Sequence, residues 1–423
     1  MTPIARVLAW EALDSRGTPT VACEVRLASG ASGAAIVPSG ASTGRHEAHE
    51  LRDGGERYGG RGVGRAVENV NGEIGPAIAG LEPATVDDAL RGLDETRGFT
   101  RLGANATLAV SVAAALAAAD DAGRPLYRML GSEPLIPMPM VNILSGGAHA
   151  GRALDVQDFL AVPLGAKSFG EAIEWAWRVR TAAAEVLAER GLPTALVADE
   201  GGFGPVLASN RRALDLLGAA IDRSRLSAGT EVAIAIDVAA TQFATPSGYG
   251  LAAEQRTLSA QELLDELTSW CDSYPIVSLE DPLGEDDWDG WTAATRRLGD
   301  RVQLVGDDLF ATNGDRIRVG VARGAANALL VKPNQAGTLS QAGSALTVAQ
   351  EAGYATIVSA RSGDTEDAWL ADLAVGWRAG QIKVGSLTRS ERTAKWNRLL
   401  RIEAELGDSA RFATGDVVRR HRG

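Results

Sequence analysis

At residues 275–280 the chain reads PIVSLE, at 302–307 VQLVGD and at 327–332 NALLVK. Three more runs share the form: EVAIAID at 231–237, ATIVSAR at 355–361 and the shorter GQIK at 380–383. Each ends on a charge, in order Asp237, Glu280, Asp307, Lys332, Arg361 and Lys383, and successive charges lie a strand-plus-helix length apart. Continuous Val/Ile/Leu runs, rather than alternating ones, mark parallel strands covered on both faces. Units of this kind close into an α/β barrel whose reactive groups stand at the carboxyl ends of the strands. The pattern predicts one pocket in which three carboxylates face three cations.

A length of 423 residues exceeds the roughly 250 that a barrel needs and leaves room for a second domain. Hydrophobic content of 45% and charged content of 23% are those of a globular protein. The net charge of −12 argues against general affinity for nucleic acid or an anionic membrane, so an anionic substrate must be drawn in by local cations. The opening MTPIARVLAWEALDSRG has no apolar stretch of signal-peptide length, and no later run is long enough to span a bilayer. Cys23 and Cys271 are the only cysteines. They give neither a disulfide framework nor a metal spacing, which points to a reducing cytoplasm and to two small buried apolar residues.

The chain divides into 1–128 and 129–423. Residues 4 to 28 alternate like strands around the turn DSRGTPT. The Gly- and Ser-rich stretch 38–64 is too long for an ordinary connection and suits a binding loop or lid. Helical patterns follow at 64–79 and at 103–122, the second so uniformly small and apolar that it must be buried. PLIPMPM at 134–140 reads as the first strand of the second part. Trp175, Trp177, Trp288, Trp291 and Trp396 are expected to pack between helices and barrel.

Asp237, Glu280 and Asp307 cannot all stay ionised in one pocket without a compensating cation. No Cys or His stands beside them, and an all-oxygen donor set favours Mg²⁺ over Zn²⁺. Lys332 ends a strand facing that metal, where desolvation and the nearby cation disfavour its ammonium form and make it a usable base. Lysine, carboxylates and Mg²⁺ together suit removal of a proton beside a carboxylate, with the metal holding the ene-diolate. Glu200, on the Gly-rich turn of TALVADEGGFGP, suits the general acid that protonates a leaving hydroxyl. Arg361 and Ser362 suit a phosphate, through a two-oxygen guanidinium contact and a hydroxyl beside it. Among the four histidines, His149 in NILSGGAHAGR stands out, in either a structural or a catalytic role.

These motifs resemble the enolase family, and they do so over nearly the whole chain. DSRGTPT, VPSGASTG, EAHELRDG, LGANATLAVS, GGAHA, VQDF, DEGGFGP, AIDVAATQF, SLEDPL, DDWDGW, QLVGDDLF, VKPNQAGTLS, RSGDTEDAWLADLAV, GQIK and LLRIEAELG stand in the family's order. The resemblance implies an α/β fold: an N-terminal α+β domain and a C-terminal modified TIM (β/α)8 barrel whose first units depart from regular strand–helix order. It implies metal ligands at Asp237, Glu280 and Asp307, a base at Lys332 and an acid at Glu200, supported by Asp158. It also implies a carboxylate-binding lysine at Lys383, phosphate contacts at Arg361 and Ser362, and a loop histidine at His149. Gln157 falls on the substrate side, and Ser42 on a second Mg²⁺ that arrives with substrate. A lysine base beside Mg²⁺ is the superfamily's own arrangement. Homodimers, or octamers built from dimers, are implied as well.

The departures spare the metal and proton-transfer residues and alter the shell around the phosphate. Where enolases read S-H-R-S-G-E-T, this chain has Ser359-Ala360-Arg361-Ser362-Gly363-Asp364-Thr365, and where they read Q-E-F it has Gln157-Asp158-Phe159. Pro333 follows Lys332 in place of a small β-branched residue, Ala198 precedes DEGG, and Thr241-Gln242-Phe243 follows the first ligand. A methyl at Ala360 opens space beside phosphorus and removes a donor. A glycerate in which one phosphate oxygen gives way to a carboxyl group needs that space. The sequence therefore favours a dehydratase of such a carboxyphosphono-glycerate, like the enolase-like enzymes of phosphinate natural-product pathways, over an ordinary 2-phosphoglycerate dehydratase. A racemase or sugar-acid dehydratase would want a K-x-K pair before Asp237, and none is present. A non-catalytic binding protein would show eroded metal carboxylates, and these are intact.

Overall fold

The computed structural model describes residues 2–41 and 44–419. Three antiparallel strands, β1 (Ile4–Leu13), β2 (Pro19–Leu27) and β3 (Ser32–Ile36), form the N-terminal sheet in the order β1-β2-β3. The helix Ala104–Asp121 lies against β2 and β3. Its small residues let it approach so closely that a Cβ on Gly33 would meet the Ala113 carbonyl oxygen at 2.3 Å. The helical pattern at 64–79 is interrupted: Gly64–Asn69 and Gly75–Ile78 are α-helical, and Val70–Ile74 between them is a π-turn. Pro76 has no N–H to bond the Gly72 carbonyl, so the ladder slips by one residue. The slip presents Asn71, whose amide bonds both the N–H and the carbonyl of Ala9 and so satisfies the open edge of β1.

The second part is a closed barrel. In chain order its elements are β4 (Met138–Ser145), β5 (Asp158–Val162) and β6 (Ala233–Asp237). A small sheet of β7 (Ala244–Thr245), β8 (Gly248–Leu251) and β9 (Arg256–Leu258) follows. Then come β10 (Ile276–Glu280), β11 (Gln303–Gly306), β12 (Ala328–Val331), β13 (Ala355–Ser359) and β14 (Gly380–Gly385). The barrel order is β10-β11-β12-β13-β14-β4-β5-β6. Within it β5 is antiparallel to both neighbours, and two helices, Phe169–Glu189 and Asn210–Arg223, separate it from β6. Four helices of this part, Ala260–Ser273, Trp288–Leu298, Gly314–Arg323 and Leu339–Glu351, begin on side-chain caps: Ser259, Asp287, Asn313 and Thr338 each accept from an early backbone N–H.

Two expectations from sequence shift. The strand read at 134–140 starts only at Met138, and Ile136 instead bridges to Phe412. Pro134 and Pro137 cannot donate to a ladder, so the approach to the strand stays irregular. Trp175, Trp291 and Trp396 are buried as expected, but Trp177 is 58% exposed. Two residues beyond Trp175 on one helix, it points about 200° around the axis, to the outer face. Cys23 is buried and Cys271 half-buried, and burial pushes both thiols up to about 12, so neither is a ready nucleophile.

Candidate active site

The barrel sets the charged residues on one rim. Asp237 and Glu280 close β6 and β10, Asp307 and Lys332 each follow their strand by one residue, Arg361 by two, and Lys383 lies within β14. Backbone register places Asp158 opposite Asp237 and Asp237 opposite Glu280, a row of three acids on three adjacent strands. Pro333, unusual after the lysine, takes the first position of the helix Pro333–Ala336, where a missing N–H costs nothing.

Each cation has an acidic partner. Lys383 Nζ donates to Asp237 Oδ2 at 2.6 Å and to both Glu280 oxygens at 2.8 Å. Burial alone would lower this ammonium, but Asp237 and Glu280 hold it well above the ordinary lysine range. One ammonium cannot neutralise two carboxylates: burial and then Asp237 raise Glu280 well above its ordinary value, against the pull of Lys383. Lys332 Nζ donates to Asp307, whose second oxygen accepts from Gln335 Nε2 at 2.9 Å. Burial and a nearby metal cation are expected from sequence to disfavour the Lys332 ammonium. Here burial does act to lower it, but Asp307 beside it outweighs burial and holds it above the ordinary value. The same pair holds Asp307 low against burial.

Arg361 points at an acid that sequence reasoning did not single out. Its two terminal nitrogens bond Glu47 at 2.9 and 3.2 Å, and one also bonds Asn334 Oδ1 at 3.0 Å. Glu47 belongs to the long Gly-rich stretch, which is pinned further by Arg45 and His46 on Asp286, at 3.1 and 2.9 Å. Ser362 Oγ accepts from the Ala41 N–H at 2.7 Å and from Arg16 at 3.4 Å. Ser42 lies outside the described residues. Ala360 is buried in the main apolar cluster, next to Arg361.

On the other side, His149 Nδ1 lies 3.0 Å from Asp158 Oδ2, and His149 Nε2 lies 3.8 Å from Glu200 Oε1. Burial opposes the imidazolium, but Asp158 and Glu200 outweigh it and hold His149 above its ordinary value. Gln157 donates to Asp237 Oδ2 at 3.0 Å and accepts from Gln242, so in this state its amide serves a carboxylate. Asn142, Ser145, Glu47, Asn334 and Gln335 are the contributors missed in sequence. Gln335 and Asn334 were within reach, since they directly follow Lys332 in VKPNQ. The others act through folding alone.

The oxygens suit a hard divalent cation. Three carboxylate oxygens of Asp237 and Glu280 converge to 2.6–2.8 Å on one ammonium nitrogen, so that point already accepts positive charge. Asp307 groups instead with Asp281 and Asp308, ligand atoms within 4.8 Å of one another. Burial and Asp307 push Asp308 up to about 7, a sign of uncompensated negative charge. Among the described residues the ligand atoms close enough to share an ion are those of Asp281, Asp307 and Asp308 and those of His149, Asp158 and Glu200, whereas Asp237 and Glu280 close on Lys383. No described helix is long and apolar enough to cross a membrane.

Two family models match the chain. One, described as the enolase N-terminal domain, covers residues 4–130, and one, described as the enolase C-terminal TIM barrel domain, covers residues 133–421.

Proposed function

Because this chain belongs to the enolase family, we propose that it is a Mg²⁺-dependent hydro-lyase that removes water from a phosphorylated or phosphonylated glycerate to give an enolpyruvate. Lys332 takes the proton from C2, the C3–O bond breaks with its electron pair on oxygen, and the Glu200 proton turns the departing hydroxide into water. Arg361 and Ser362 bind the phosphorus group, and Lys383 faces the substrate carboxylate. Mg²⁺ on Asp237, Glu280 and Asp307 would supply positive charge for the ene-diolate and draw away the anionic partner that holds the Lys332 proton. Support for the reaction type comes from the partly buried pairing of Lys332 with Asp307 beside Asp237 and Glu280.

The favoured substrate is a carboxyphosphono-glycerate, as in the carboxyphosphonoenolpyruvate synthases of phosphinate antibiotic biosynthesis. The observation that carries this choice is Ala360: a buried methyl adjoins Arg361, where the family has an imidazole. A donor lost beside phosphate costs about 1–3 kcal/mol, roughly one to two decades in rate. A homodimer, or an octamer built from dimers, would cover exposed apolar side chains such as Leu8, Trp10 and Leu13 of β1.

The test is Mg²⁺-dependent formation of enol absorbance from 2-phosphoglycerate and from its carboxyphosphono analogue, with the wild type and with Ala360→His. The wild type is expected to prefer the analogue, and the histidine to shift preference toward 2-phosphoglycerate. Preference of the wild type for 2-phosphoglycerate at ordinary efficiency would make it a glycolytic dehydratase. Binding of both without turnover would leave a non-catalytic protein.

A further inference from the structure

Asp158 hangs from β5 on a single methylene, so its carboxylate can be turned but not extended. Two side chains at the end of β4 decide how it is turned. Asp158 Oδ1 accepts from Asn142 Nδ2 at 2.5 Å and from Ser145 Oγ at 3.0 Å. Ser145 Oγ in turn accepts from Asn142 Nδ2 at 2.9 Å, closing a ring of three polar groups with no exposed surface. Both donors fall on one oxygen, which leaves Asp158 Oδ2 for the His149 ring.

The same two residues support the turn that carries Glu200. Ser145 N–H donates to the Phe203 carbonyl at 2.7 Å. A Cβ on Gly202 would lie 2.7 Å from Ser145 Oγ and 2.9 Å from Asn142 Oδ1, so the turn lies directly on this pair. Asn142 Oδ1 is buried without a hydrogen-bond partner, so the asparagine is held in place by its donor end alone.

We propose that Ser145 and Asn142 are positioning residues for the acid half of the elimination: they fix Asp158 so that its free oxygen aims the His149 ring at Glu200. The assignment rests on the hydro-lyase reading above. After Glu200 gives its proton to the leaving oxygen, His149 Nε2–H returns one to the Glu200 carboxylate. The imidazole left behind keeps its Nδ1–H on Asp158. The 3.8 Å between Nε2 and Glu200 is of the length that tightens in a working complex. Neither Ser145 nor Asn142 bonds Lys332 or Asp307, so the proton-abstracting half does not depend on them.

The two halves separate in one experiment. With substrate in D2O, Lys332 exchanges the C2 hydrogen whether or not the hydroxyl leaves, whereas product forms only when the acid acts. In Ser145→Ala and, separately, Asn142→Ala, turnover is expected to fall roughly 10- to 100-fold, the scale of a misplaced catalytic group. C2 exchange into recovered substrate should continue near the wild-type rate and KM should stay within about twofold, so the ratio of exchange to turnover rises by the same factor. Retained exchange also shows that each variant has folded. Exchange and turnover falling in parallel, or no change in either, would overturn the positioning role and leave the hydro-lyase reading standing. A wild type that neither exchanges C2 nor forms product would instead overturn that reading, and the positioning role with it.

Discussion

Lys383 Nζ lies 2.8 Å from both carboxylate oxygens of Glu280, so one buried ammonium sits symmetrically across that carboxylate. Asp237 completes the contact at 2.6 Å. Removing the ammonium leaves two buried acids uncompensated, which typically costs about 3–5 kcal/mol. Lys383→Met is expected to lose that much in metal-free denaturant unfolding and to recover a large part of it in Mg²⁺. A loss under about 1 kcal/mol would show that the acids find another counter-charge.

Lys332 donates to Asp307 and has no other role in the proposed chemistry than taking the C2 proton. Lys332→Ala is expected to abolish C2 exchange and turnover together, by about 10²–10⁴-fold. Substrate binding should change far less. A variant that still exchanges C2 at the wild-type rate would assign the base elsewhere.

Glu47 grips Arg361 with both oxygens, the contact that a phosphate or phosphonate would otherwise make. An anion must compete with Glu47, and a charge-assisted pair of this kind is worth about 1.5–3 kcal/mol. Glu47→Gln should therefore bind inorganic phosphate at least roughly tenfold more tightly by calorimetry. Weaker binding would mean that Glu47 shapes the anion site instead of occupying it.

Stability should fall as pH rises in the metal-free protein. Burial first, and then neighbouring acids, raise Glu280 and Asp281 well above their ordinary values and Asp308 to about 7. The folded protein thus keeps protons that the unfolded chain has released, so stability declines from the ordinary carboxylate range up to about pH 7. His149, held above its ordinary value, adds in the same sense: its contribution is full below its unfolded value and is lost as pH rises through the folded one. Asp307, held low, acts oppositely, and its contribution is lost only under acid conditions. Melting curves in EDTA should show the decline, and Mg²⁺ should raise the midpoint more at about pH 8 than at about pH 6. Equal shifts at both would contradict it.

Much of the barrel was legible because its strands are buried on both faces and therefore read as unbroken apolar runs. The charges closing those runs marked the rim. Less legible were places where one residue overrides a pattern: Pro76 turns the helix at 64–79 into two pieces around a π-turn, and Pro137 delays β4 to Met138. Trp177 fell outside the packing expected for it because helical geometry places residues two apart on opposite faces.

Sequence alone determined the α/β barrel with its N-terminal domain and the enolase family, since hydrophobic period and motif order are local properties of the chain. Only the tertiary structure decided who compensates whom. It set Lys383 between Asp237 and Glu280, Lys332 on Asp307 with its ammonium favoured, Arg361 on Glu47, and Asp158 on Asn142 and Ser145. Partners of this kind lie far apart in the chain, and a buried charge takes the opposite charge that folding brings within reach, whatever the distance between them in sequence.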